Sequence, residues 1–188
     1  VTGVATKYLS NPKSRIATFI GCGKQTPHQI EAVLAVRDIE TIVLYDINKS
    51  AAEALATNYK NAIVADTLED AVCSADIITT LTHARQGFLV HNMLKPTAHI
   101  NAVGADAAGK QELDLSVLKG IGTIVYDEWA QCSHSGEVQH IAGLGLRPKT
   151  YSLTQIVSGE CHPSLDKGTV FDATGLAIED IVVARFVY

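Results

Sequence analysis

The chain has 188 residues, with 15 Lys+Arg against 20 Asp+Glu for a net charge of −5, and it is 47% hydrophobic and 19% charged. That balance belongs to a globular chain, not a disordered one; a single domain of this length buries roughly 70% of its unfolded surface, and two large domains do not fit. The acidic charge, with no basic patch, argues against a nucleic-acid partner, and no apolar run reaches the roughly 20 residues of a membrane span.

Short β-branched runs alternate with helical stretches. The chain opens without Met in helical sequence, and residues 15–20 (Arg-Ile-Ala-Thr-Phe-Ile) are a nearly continuous apolar run that stops at Gly21, as a strand buried on both faces would. A helix is expected over 25–36, with Ile30, Val33 and Leu34 on one side, then a strand over 41–45 ending at Asp46. An Ala-rich helix follows over 49–59, and a short strand over 62–65. Thr67-Leu-Glu-Asp70 resembles a capping box opening a short helix to Cys73. Further strands are expected over 76–81, 99–103 and 123–126, the last ending at Asp127. Residues 142–148 read as a loop, 152–157 as a short helix or turn, and 168–171 as one more strand. Residues 176–188 form a helical pattern that is apolar over much of its circumference and has no stop signal, so both ends read as cut. Strands alternating with helices at this spacing predict an α/β, Rossmann-like, doubly wound and mostly parallel sheet with helices on both faces.

Cys22, Cys73, Cys132 and Cys161 are widely spaced, without a C-x-x-C pair, and the seven His form no H-E-x-x-H. Neither a disulfide framework nor a metal site is expected, and a reducing, cytoplasmic location is.

Four features carry chemistry. Gly21-Cys-Gly23-Lys24-Gln25-Thr26 follows a strand and opens a helix, the context of a dinucleotide-binding glycine loop. Gly21 would permit the turn, Gly23 would admit a pyrophosphate, and the helix start would supply free N–H groups. Thr26 stands where a third glycine would pack more closely. Asp46, 23 residues after Gly23, lies at a strand end where a carboxylate accepts hydrogen bonds from ribose hydroxyls; its charge favours NAD over NADP, and Ile47 with Asn48 offers no Arg for a 2′-phosphate. Thr80-Leu81-Thr82-His83 closes another strand, where ligands of open parallel sheets sit. Val103-Gly104 ends a further strand, and Asp106 lies two residues beyond Gly104, where a carboxylate could take a proton or activate a water. Each has a plainer reading: a glycine turn, a strand-end Asp opening a turn, β-formers before a loop, a solvated loop Asp.

Gly-Cys-Gly-Lys-Gln-Thr-Pro-His28, Asp76-Ile-Ile-Thr-Thr-Leu-Thr82, the run from His99 through Val-Gly-Ala-Asp-Ala-Ala-Gly-Lys-Gln-Glu-Leu113, and Phe171-Asp-Ala-Thr-Gly-Leu-Ala-Ile-Glu-Asp180 occur in that order. Along essentially the whole chain this resembles the ornithine cyclodeaminase/μ-crystallin family of NAD(P)-dependent enzymes. The resemblance implies a pyrophosphate loop at Gly21, Gly23, Lys24, Gln25 and Thr26, and a ribose site at Asp46 and Ile47. It implies a cofactor-side loop at Thr80, Leu81, Thr82 and His83, a nicotinamide side at Val103 and Gly104, and a second loop at Ala173 and Thr174. Asp106 matches the family's catalytic carboxylate. Ala173 replaces a frequent Ser and Thr26 a usual Ala.

Family members are longer, and the resemblance implies that residues 1–10 and 176–188 are helices leading to a substrate and dimerisation domain outside this chain, which would be inactive alone and homodimeric at full length. The implied chemistry is hydride transfer at Cα of an α-amino acid or its cyclic imine. It takes a cyclodeaminase form (ornithine to proline), a ketimine reductase form (pyrroline-2-carboxylate) or an alanine dehydrogenase form. A dinucleotide-binding module without catalysis is the reading from another class.

Overall fold

The computed structural model describes residues 1–142, 144 and 149–188; the loop expected over 142–148 lies almost wholly outside the described residues. Helix α1 (Thr2–Leu9) precedes β1 (Ile16–Ile20), α2 (Thr26–Leu34), β2 (Thr41–Tyr45), α3 (Lys49–Ala56), β3 (Ala62–Val64), α4 (Leu68–Val72) and β4 (Ile77–Thr80). The chain continues through β5 (Arg85–Leu89), β6 (His99–Ala102), β7 (Gln111–Leu113), α5 (Leu115–Gly120), β8 (Thr123–Tyr126), α6 (Trp129–Ser135) and α7 (Gln139–Ala142). It closes with β9 (Thr150–Ser152), α8 (Leu153–Val157), β10 (Thr169–Asp172) and α9 (Ala177–Val187).

Eight strands make one sheet in the order β3-β2-β1-β4-β6-β10-β8-β9, every pairing parallel, and β5 pairs with β7 in a small parallel ribbon. The chain winds outward from β1 through β2 to β3, then returns to place β4 on the other side of β1. The strand order therefore reverses between β1 and β4, where open α/β sheets bind ligands at the carboxyl ends of their strands.

Both faces of the sheet are covered, which explains why its strands read as continuous apolar runs. Ala17 and Phe19 of β1, with Ile42 and Leu44 of β2, pack under Ile30 and Val33 of α2 and Leu55 of α3. Ile20, Val43, Ile78 and Ile100 face the opposite way, toward Val72 of α4 and Val117 and Leu118 of α5. Ala5 and Leu9 of α1, with Leu153 and Ile156 of α8, cover Val125 and Phe171. One guanidinium gathers the carbonyls at the C-terminal end of α1: Arg37 Nη2 donates to Thr6 O, Lys7 O and Ser10 O at 2.8–2.9 Å.

Local signals were followed with two adjustments. Thr67 Oγ1 accepts from Asp70 N at 3.1 Å and donates to Asp70 Oδ2 at 2.6 Å, so Asp70 meets the Thr67 hydroxyl rather than the N-cap N–H that a capping-box Glu would reach. The full capping box belongs instead to Ser152 and Gln155, which open α8. β5, β7, β9, α5, α6 and α7 are additional to the elements expected from sequence. β5 is half-exposed Arg-Gln-Gly-Phe-Leu, β7 and β9 have three residues each, and α6 mixes Cys, His and Ser without an apolar period. The last strand, β10, lies inside the sheet between β6 and β8, with all four residues buried.

Candidate dinucleotide site

At the reversal of strand order the carboxyl ends of β1, β2 and β4 open onto a cavity of about 550 Å³. Its wall holds Gly21 and Gly23 from the loop after β1, Asp46 and Ile47 from the end of β2, and Leu81, Thr82 and His83 from the end of β4. Gly21 has φ +93°, and a Cβ there would stand 2.8 Å from Leu81 O, so conformation and space both demand glycine. Gly23 is different. A Cβ on it would meet no protein atom within 4 Å, and its φ is ordinary, so the fold itself makes no demand for glycine there. Helix α2 starts just beyond, with Pro27 in its first turn and no side-chain cap on its N-terminus.

Asp46 is fixed by the loop it faces. Its Oδ2 accepts from Cys22 N at 2.7 Å and its Oδ1 from Asn48 N at 2.8 Å, and each oxygen keeps lone-pair capacity toward the cavity. Burial, then the Asp46 charge, pushes the Cys22 thiol up to about 12, so it stays protonated. Ile47 is 96% exposed beside it, an apolar side chain with no protein cover.

The other flank is built from buried carboxylates. Glu112 of β7 is 0% exposed. Its Oε1 accepts from Thr82 N (2.6 Å) and Thr82 Oγ1 (2.7 Å), and its Oε2 from Thr80 Oγ1 (2.6 Å) and Gly104 N (2.9 Å). Glu137, also fully buried, accepts from Glu112 N (2.6 Å) and Leu113 N (3.2 Å). Asp172, at the end of β10, accepts from Glu137 N and Val138 N, both at 2.9 Å. Asp127, at the end of β8, accepts from Thr174 N (2.7 Å), Gly175 N (2.8 Å) and Cys132 Sγ (2.9 Å). Burial raises all three of Glu112, Glu137 and Asp172, Glu137 to about 9 and Asp172 to about 7, because an unpaired charge in a dry interior is disfavoured.

Asp106 is exposed, two residues past Gly104, and pairs through Oδ1 with Lys110, whose ammonium also approaches Gly104 O at 3.4 Å.

Of the residues expected from sequence, Gly21, Gly23, Asp46, Ile47, Leu81, Thr82 and His83 share the cavity wall. Lys24 and Gln25 are exposed at the start of α2, outside that wall. Val103, Gly104 and Asp106 follow β6, beside β4, while Ala173 and Thr174 follow β10, one strand further on. Two of the expected hydroxyls are engaged within the protein. Thr26 is fully buried, and its hydroxyl donates to Gly21 O at 2.7 Å, so that hydroxyl shapes the glycine loop. Thr80 is fully buried as well, with its hydroxyl committed to Glu112. Thr174 is tied to Asp127 through both N–H and hydroxyl. Sequence reasoning missed Glu112, Glu137 and Asp172. Only Asp172 had a local signal, a carboxylate closing the apolar strand Thr-Val-Phe-Asp172, where a charge is costly without partners; Glu112 and Glu137 had none. Among the described residues no group of His, Cys, Asp or Glu is placed to hold a metal, and no helix is long and apolar enough to cross a membrane.

Comparison with known proteins gives a consistent picture. Residues 1–188 match the ornithine cyclodeaminase/mu-crystallin family. An alanine dehydrogenase of Archaeoglobus fulgidus is 34% identical over 99% of this chain and 60% of its own length. A delta(1)-pyrroline-2-carboxylate reductase of Bacillus cereus is 35% identical over 100% of this chain and 61% of its own length. The structure of an archaeal alanine dehydrogenase dimer with bound NAD superposes with a TM-score of 0.92 at 35% identity, over 100% of this chain and 60% of that one. The chain thus spans about 60% of the length of these relatives.

Proposed function

The chain belongs to the ornithine cyclodeaminase/mu-crystallin family, and from that premise we propose that it is the NAD-holding part of an enzyme that moves a hydride to or from the nitrogen-bearing carbon of an α-amino acid or imine. The observation that carries this reading is Gly23. It borders a cavity of about 550 Å³ at the strand-order reversal, and no protein atom requires it to be glycine. A pyrophosphate passing over the backbone would require it. The residues present therefore fit a dinucleotide.

In this reading the pyrophosphate meets the backbone of the loop just before α2, because in the first turn of the helix Thr26 N and His28 N already donate to Gly23 O and Gln25 O and Pro27 has no N–H. Asp46 accepts from the adenosine ribose hydroxyls, and its charge disfavours a 2′-phosphate. Ile47 covers the adenine. Thr82, His83 and Gly104 border the nicotinamide side, and Asp106 holds or moves the proton at the substrate nitrogen, with Lys110 fixing its carboxylate. The bound cofactor supplies the hydride acceptor or donor; the protein orients it and keeps water away.

The substrate is an amino acid or cyclic imine. Relatives 34% and 35% identical are named for alanine dehydrogenation and pyrroline-2-carboxylate reduction, so likeness alone does not choose between these and ornithine cyclodeamination. Homodimerisation of the full-length protein is part of the proposal, after the archaeal relative described as a dimer.

Fluorescence titration tests the cofactor: NADH is expected to bind more tightly than NADPH. Equal or tighter NADPH binding defeats the role of Asp46, and failure of both to bind defeats the reading. Turnover of the full-length protein on alanine, ornithine and pyrroline-2-carboxylate then names the substrate. Tight NADH binding with no turnover on any amino acid or imine would leave a binding module.

A further inference from the structure

The geometry points to Glu112 as a positioning residue for the nicotinamide half of the site, the member of a carboxylate series that clamps the end of β4 to the end of β6. This inference rests on the dinucleotide reading above.

Glu112 gathers four donors from three residues on two segments: the Thr80 hydroxyl at the end of β4 with the Thr82 N–H and hydroxyl just beyond it, and the Gly104 N–H beyond β6. Two of these are backbone N–H groups, which only donate, so the side chain opposite them must present acceptors. Among the described residues no cation pairs with the carboxylate, and it is fully buried. A buried charge without a counterion is unfavourable unless every lone pair it presents has a donor. The site therefore holds the carboxylate for what it binds. It joins Thr82, which lines the cavity, to Gly104, which stands two residues before Asp106.

The clamp is itself held from behind. Glu137 accepts the N–H groups of Glu112 and Leu113 and so fixes the strand that carries Glu112. Asp172 accepts the N–H groups of Glu137 and Val138 and fixes the turn that carries Glu137. Each carboxylate thus holds the backbone of the segment bearing the next. The series ends at the cavity wall, where it fixes Thr82 against Gly104, packed so closely behind it that a Cβ on Gly104 would stand 2.4 Å from Thr82 O.

The test compares two ligands on the same protein. NADH reaches both halves of the site, whereas ADP-ribose lacks the nicotinamide. Glu112→Gln keeps the shape but replaces one acceptor oxygen with a donor. It is expected to weaken NADH about tenfold, the effect of one unsatisfied buried donor, and to leave ADP-ribose within about twofold. A purely structural role would lower both affinities together, so equal losses overturn the inference, as does an unchanged NADH affinity in folded Glu112→Gln. Thr80→Val keeps the test open if Glu112→Gln fails to fold. It removes one donor without changing shape and is expected to cut NADH affinity severalfold relative to ADP-ribose, with Thr80→Ser restoring it. A wild-type ratio in Thr80→Val would then overturn the inference. If wild-type protein binds neither ligand, the dinucleotide reading itself has failed.

Discussion

The two flanks of the cavity are built by different physics. The β1–β2 flank is made of backbone: a left-handed Gly21, a Gly23 facing open space, and one carboxylate, Asp46, anchored to two nearby N–H groups with capacity to spare. The β4–β6 flank is made of buried acids, Glu112, Glu137 and Asp172, whose oxygens are already spent on backbone N–H groups and threonine hydroxyls of the protein. The first flank is shaped to receive hydrogen bonds from a ligand. The second receives none through its buried acids and serves by holding the wall in place. A site can thus be half receptor and half scaffold, and substitutions on the two sides should fail differently.

The widest separation is expected at Asp106. In the full-length protein, Asp106→Asn should lower turnover about 100-fold or more while NADH affinity stays near wild type, since proton handling is lost and the cofactor wall is not. Unchanged turnover removes Asp106 from the chemistry. On the opposite flank, Gly21→Ala forces a Cβ to 2.8 Å from Leu81 O at a φ of +93°. A loss of about 2–3 kcal/mol in unfolding free energy, with NADH binding abolished, is the expected result in denaturant melts and titrations.

The scaffold flank should also show itself in pH. Folded Glu137 and Asp172 sit at about 9 and about 7, above their ordinary 4.5 and 3.8. The folded protein therefore holds more protons than the unfolded chain across that window. Their contribution to stability is complete below the ordinary carboxylate values and is lost as pH rises through the folded ones. The unfolding free energy from urea melts should fall from about pH 5 to about pH 9, by up to about 1.4 kcal/mol per pH unit for each group, with both acids contributing up to about pH 7 and Glu137 alone above it. Glu137→Gln should cost about 1–3 kcal/mol, because its amide meets backbone donors, and should flatten the slope. A midpoint that rises over this range contradicts the assignment.

Smaller effects belong to the receptor flank. Asp46→Asn retains an acceptor for Cys22 N–H but loses its charge; NADH affinity should fall about tenfold and the preference over NADPH should shrink. Ile47→Ala should weaken ADP-ribose by about 0.5–1 kcal/mol through lost apolar cover, with melting unchanged, because the side chain is 96% exposed in the protein alone. A lowered melting temperature would instead show Ile47 to be part of the core.

The contrast between the flanks also explains what sequence reveals. Gly21, Gly23 and Asp46 lie within a single strand-helix-strand unit, and their spacing is dictated by that unit's geometry, so they can be read in a line. The parallel sheet was legible for the same reason, since β1, β2, β4 and β8 are short runs of apolar and β-branched residues that alternate with helical stretches. Glu112 meets Thr80 across 32 residues, and Asp172 meets Glu137 across 35. Nothing local distinguishes Glu112 in Gln-Glu-Leu113 from an exposed acid, and β7, which carries it, has only three residues. The inward partners of the Thr80 and Thr26 hydroxyls were not legible, because a hydroxyl at a strand end or loop looks the same whether it faces a ligand or the protein's own carboxylate or carbonyl.

The position of β10 has a consequence for how the protein is made. It lies between β6 and β8, in register with His99–Ala102 on one side and Thr123–Tyr126 on the other. The Thr169 hydroxyl also lies 2.9 Å from Leu9 O, across 160 residues of sequence. A growing chain can assemble β1 through β4 early from near neighbours, but β6 and β8 present raw strand edges until residues 169–172 emerge to bridge them. Such long-range closure slows folding and leaves unpaired edges waiting in the meantime. Synthesis halted before residue 169 would thus yield a sheet in two unjoined pieces, prone to pair with the wrong chain.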